Sequence, residues 1–168
     1  MEIFIDLQGF KGVVSNSSNN NDFILKELCL LSIDNIMCHS IFKPPYSLSH
    51  LPPKMIRTYR WLERNGHGIN WYSCWVDYYK IPLIIEKYIR ENNYNNCIIW
   101  VKGSEKIKWV SCIWPQSLSY SIRNIEEYNY SKRIRSNTDV LKCFHHKGVC
   151  ALNNVIHMYN WWKGVKRT

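Results

Sequence analysis

The sequence predicts one α/β domain on a mixed sheet, in which an antiparallel three-strand meander is joined to parallel strands and flanked by helices. Three observations point there. Strand-like runs at 2–7, 23–33 and 36–42 follow one another closely, and the last two are separated by the turn Asp34-Asn35. Two segments then show helix signals before a continuous apolar strand at 97–101, of the kind buried on both faces, and further helices follow. The 168 residues, 46% of them hydrophobic, suffice for one core, and no linker or internal repeat divides residues 1–168.

The elements follow in order. EIFIDL (2–7) is a short strand, after which Gly9 and Gly12 bracket a turn and SNSSNNND (15–22) is a polar loop. FILKELCLLSI (23–33) is an apolar run with Lys26 and Glu27 inside it, and IMCHSIF (36–42) completes the meander. Pro44, Pro45, Pro52 and Pro53 break the strand pattern, and a helix with Pro53 in its first turn runs to about Glu63. Residues 65–76 form a loop rich in glycine and aromatics. Ile84, Ile85, Tyr88 and Ile89 have helical spacing, which predicts a helix over 82–92. Gly103 ends the strand at 97–101, and a helix covers 104–112. Residues 115–138 show little periodicity and read as a surface segment. The last helix is expected at 146–162, with Val149, Leu152, Val155, Ile156 and Tyr159 on one stripe.

Composition narrows the function. No apolar run reaches the roughly 18 residues that cross a bilayer. The start, MEIFIDLQGF, lacks a basic n-region, so an intracellular protein without a signal peptide is expected. The net charge of +9 is uneven: residues 1–96 hold ten Lys/Arg against nine Asp/Glu, and residues 97–168 hold twelve against four. A basic half with interleaved aromatics suits a phosphate backbone and unstacked bases, although a solvated basic face has the same composition. Lys102, Lys132, Arg133 and Arg135 are the candidate contacts. The seven cysteines are odd in number and no secretory signal precedes them, which argues against a disulfide framework. Cys29, Cys38, Cys97 and Cys112 have apolar neighbours and read as small buried hydrophobes.

Cys143, His146 and Cys150 differ. They form C-x2-H followed by x3-C, so three soft or borderline ligands fall within eight residues. A tight turn joins the first two, and an i, i+4 step on a helix puts the last two on one face. Zinc suits such a set and wants a fourth ligand. Glu27, a carboxylate in an apolar run, is the leading candidate, since an unpaired buried charge is costly. His145, His39 and Cys74 are alternatives.

Two blocks, LKELCLLSIDNIMCHSIFKPP and KCFHHKGVCALNNVIHM, resemble the Maelstrom domain, an RNase H-like domain of animal germline small-RNA proteins. The family shows a Glu at the start of a strand, a hairpin and a His-Ser-Phe-x-x-Pro-like stretch in the first block. In the second it has C-x2-H, a short spacer, and Cys-Ala-Leu opening a helix. The resemblance covers the two ends of the chain and supports the middle, about 53–130, only loosely. It implies an RNase H-like sheet and a structural zinc on Glu27, Cys143, His146 and Cys150. Its usual HMG box does not precede the first strand, so a stand-alone, divergent member is expected.

The resemblance also bears on catalysis. Related DEDD exonucleases hold two metals on four carboxylates. Their Asp-x-Glu pair corresponds here to Asp6-Leu7-Gln8, and the Asp five residues after their last His corresponds to Cys150. Both changes argue against that chemistry. What the resemblance implies is single-stranded RNA binding, with weak ribonuclease activity that does not use those carboxylates, in small-RNA or transposon silencing. Small-RNA pathway proteins would be partners, and the location would be cytoplasmic, extending to perinuclear granules or the nucleus. His67, His39, Lys102 and Arg135 are available as acid–base groups, but no pattern singles them out. Rival readings are an active metal-dependent 3'-5' exonuclease and an inert protein-interaction module on the same fold.

Overall fold

The computed structural model describes residues 1–11, 23–130, 143, 145–147 and 149–165. Five strands form one sheet: β1 (Glu2–Lys11), β2 (Phe23–Ser32), β3 (Met37–Ile41), β4 (Cys97–Val101) and β5 (Tyr120–Asn124). Their order is β3-β2-β1-β4-β5. β2 runs antiparallel to both β1 and β3, while β1–β4 and β4–β5 are parallel. Only β2 therefore opposes the other strands. This is the expected RNase H-like mixed sheet, a meander extended by parallel strands. The helices are α1 (Pro53–Asn65), α2 (Ile81–Glu91), α3 (Ser104–Ile113) and α4 (Ala151–Val165).

Each face of the sheet buries an apolar layer. Ile3, Ile5, Leu7, Leu28, Leu30, Ile99 and Val101 pack against Ile81, Ile85 and Ile89 of α2 and Val110 of α3. Phe4, Cys29, Leu31 and Trp100 instead meet Ala151, Leu152, Val155 and Met158 of α4. A third cluster joins Phe10 and Ile24 to Tyr59 of α1, Leu48, Leu51 and the fully buried Trp71. Among the described residues, no helix is long and apolar enough to cross a membrane.

Three local expectations change. The first strand continues through Gly9 to Lys11 rather than turning at Gly9. A Cβ on Gly9 would lie 2.1 Å from the Ile24 carbonyl oxygen, so glycine there permits close approach of two backbones. The segment read as surface at 115–138 contains β5, whose exposed and half-buried side chains give no apolar alternation for a sheet-edge strand. The last helix begins at Ala151, not 146. Val149 lies before it and is 54% exposed, so it is not part of the core stripe.

Candidate metal centre

The site begins with an irregularity in β2. Gln8 pairs with Glu27 and Gly9 with Leu25, which leaves Lys26 as an extra residue opposite β1. Such a bulge breaks the two-residue alternation. Leu25 faces the α2/α3 side before it, and Leu28 and Leu30 face that side after it. Lys26 and Glu27 consequently both point away from that layer. Lys26 reaches the loop after α1, donating to the Trp71 carbonyl at 2.7 Å and to Cys74 Sγ at 2.9 Å. Glu27 reaches the segment that leads into α4.

Four side chains converge there. One donor atom from each of Glu27, Cys143, His146 and Cys150 lies within 4.8 Å of all the others. Glu27 Oε1 is 3.0 Å from His146 Nε2 and 3.3 Å from Cys150 Sγ. Bonds of roughly 2.0–2.3 Å to a tetrahedral ion put neighbouring ligand atoms about 3.3–3.8 Å apart. The cluster is therefore near the required size, and its residues could hold a metal ion. Glu27 and the His146 ring are fully buried. The His146 Nδ1 atom is also buried and finds no hydrogen-bond partner among the described residues.

Glu27 has further partners. Its Oε2 accepts from the Ala151 amide at 2.9 Å, the first residue of α4, where the helix dipole favours an anion. His39 Nε2 on β3 lies 2.7 Å from Oε1. The carboxylate is thus hydrogen-bonded in its own right, and the cost of an unpaired charge is not what demands a cation. Burial raises the Glu27 pKa, but hydrogen bonds from His146, His39 and the Ala151 amide outweigh it and hold the group at about 2. The thiol of Cys150 is pushed up by burial and by the Glu27 charge. A fixed anion beside the protonated Cys150 thiol is a set that a cation completes, with the thiol proton released as it binds.

The structure distinguishes the other ligand candidates. His146 is buried and His145 exposed. His39 touches Glu27 but lies outside the four-residue cluster, and Cys74 is held by Lys26. His146 and Cys150 both precede α4, so they are not a pair on its face. Cys29 and Cys97 are buried as expected and Cys38 is half-buried, whereas Cys112 is exposed. Lys102, just after β4, sits 5.5 Å over the Tyr130 ring. Lys132, Arg133 and Arg135 lie outside the described residues.

Asp6 occupies a different pocket, a cleft of about 350 Å³ lined also by Gln8, Lys102, Lys106, Glu126 and Asn154. Its Oδ1 is paired with the Lys106 ammonium. Its Oδ2 accepts from Gln8 Nε2 at 3.0 Å and Asn154 Nδ2 at 2.7 Å. An ammonium and two amides thus hold this carboxylate. Burial raises the Asp6 pKa, against the opposing pull of Lys106.

The sequence reading missed two features of this neighbourhood: the bulge at Lys26 and the contact of His39 with Glu27. Two consecutive charged residues inside an apolar strand were the available signal for the first. The second depends on strand register, which pairs Glu27 with Ile41 and Cys29 with His39 and brings Glu27 and His39 onto one face. No protein-family model and no curated protein matches this chain.

Proposed function

We propose that the chain is a zinc-stabilised, RNase H-like domain that binds single-stranded RNA. The observation that carries the zinc reading is the convergence of a carboxylate, an imidazole and two thiols from opposite ends of the chain. That N/O/S set, at near-tetrahedral size, suits zinc better than a hard cation such as magnesium. Four protein ligands leave no open position for water, so the ion's role is structural. It fastens β2 to the entry of α4 and thereby closes one layer of the domain.

RNA binding is supported by the charge of +9, concentrated in residues 97–168, and by resemblance to the Maelstrom domain. Lys102, Lys132, Arg133 and Arg135 are proposed contacts, and small-RNA or transposon silencing is the proposed setting. The engagement of Asp6 by Lys106, Gln8 and Asn154 speaks against a two-metal exonuclease. Any ribonuclease activity would then be weak and independent of magnesium.

One observation favours a second reading, a protein-interaction module. Tyr72, Trp75 and Tyr79 are 66%, 81% and 70% exposed on and just after the loop that follows α1. Binding and turnover of a labelled single-stranded RNA, with and without chelator and over a salt series, separate the readings. Salt-sensitive binding supports the proposal, and magnesium-dependent trimming would support the exonuclease. Absence of binding at low salt would leave the interaction module.

A further inference from the structure

The first half of the chain is nearly neutral by count, yet α1 concentrates its cations. Four of the ten Lys/Arg in residues 1–96 are Lys54, Arg57, Arg60 and Arg64. At 100° per residue they fall, together with Trp61, within one third of the helix circumference. The opposite side carries Met55, Ile56, Tyr59 and Leu62, which face the cluster around Phe10 and Trp71. All four cations are exposed, and Trp61 is 58% exposed.

The cations are also uncommitted. Among the described residues, none of the four forms an ion pair. Glu63, the helix's own carboxylate, is turned to the Trp71 amide, which it accepts at 2.5 Å. Elsewhere on the surface, Lys11, Lys43, Lys80, Lys87 and Arg90 do have carboxylate partners. From Arg57 to Arg64 the helix rises about 10 Å, so the three guanidinium groups follow one another at about 5 Å along the axis, within side-chain reach of successive phosphates. Planar guanidinium forks suit phosphate, and the indole among them offers a face to an unstacked base. Arg64 also lines a cleft of about 580 Å³ with Lys147, His145 and the ligands Cys143 and His146.

We infer that the outer face of α1, Arg57, Arg60, Trp61 and Arg64 with Lys54 at its start, is the surface that holds single-stranded RNA. The three guanidinium groups take successive phosphates, and Trp61 stacks on one base. This rests on the RNA-binding reading above but moves its centre from the basic C-terminal half to a helix in the near-neutral half. The strand then runs off the end of α1 into the cleft beside the metal centre.

The test uses the full chain, a fluorescein-labelled oligouridine and anisotropy over a salt series. Unchanged melting temperature and metal content establish that the exposed substitutions leave the fold intact. Arg57→Gln/Arg60→Gln/Arg64→Gln should weaken binding and flatten the plot of log K against log salt by about 2, near 0.7 per lost phosphate contact. Trp61→Ala should weaken binding by about 5- to 150-fold with the salt slope retained. A wild-type slope and affinity in the triple variant would overturn this inference. So would loss of the slope in Lys102→Gln/Lys132→Gln/Arg133→Gln/Arg135→Gln with none in the α1 variant. Both results leave the RNA reading standing. Failure of the wild-type chain to bind would overturn both.

Discussion

Acidification should destabilise the fold through His67, and the size of the effect follows from its surroundings. The residue is 4% exposed, and its ring meets Phe10 edge-on at 4.8 Å. Nδ1 accepts the Ile69 amide at 3.0 Å, which requires that nitrogen to be unprotonated. Burial, reinforced by the charges of His146 and Lys26, lowers the pKa from 6.5 to about 4, against an opposing pull from Glu27 and the Gly9 backbone. A cation bound at Glu27 would push in the same direction. The folded pKa lies below the unfolded one, so the stabilisation is complete above pH 6.5, falls as the pH drops and is gone below about 4. Over that window the change is about 3 kcal/mol, at 1.36 kcal/mol per unit. The perturbation is His67→Gln, which keeps an acceptor for Ile69 and removes the titration. Urea unfolding of both proteins should show their stability difference shrinking by about that amount between neutral pH and about pH 4. A difference that stays constant across the window would refute the reasoning.

Other predictions follow from single contacts. Lys106→Met leaves the buried Asp6 without its ammonium and should cost about 3 kcal/mol at neutral pH. Adding Asp6→Asn should recover most of that loss, and a double-mutant cycle by chemical denaturation measures it; equal effects in both backgrounds would contradict the pairing. Gly9→Ala drives a methyl group into the Ile24 carbonyl. It should destabilise by about 1–3 kcal/mol, read as a lowered denaturation midpoint.

Much of the architecture was legible because periodicity and burial agree. Residues 97–101 are apolar throughout, and β4 spans Cys97–Val101. The spacing of Ile85, Tyr88 and Ile89 predicted α2, and all three are buried in it. β5 was illegible because an edge strand such as YSIRN buries too little to alternate. The start of α4 was misplaced because Val149 fits the helical stripe by spacing alone, whereas His146 and Cys150 ahead of Ala151 belong to the site. Cys143, His146 and Cys150 were visible as a cluster because the chain keeps them close. Glu27 lies 116 residues before Cys143, and spacing alone does not separate it from His145, His39 and Cys74. Its delivery depends on the bulge at Lys26, and no propensity encodes that. The stripe on α1 was present in the spacing of Arg57, Arg60, Trp61 and Arg64, but a charge count over half the chain averaged it away.

The central claim is that one ion joins Glu27 of β2 to the Cys143–Cys150 segment. Elemental analysis of the purified chain and of Cys143→Ser/Cys150→Ser tests it most directly. One zinc per wild-type chain is expected, with none in the variant and a lower unfolding midpoint there. A wild-type chain without zinc, or a variant that keeps its full metal content, would contradict the account.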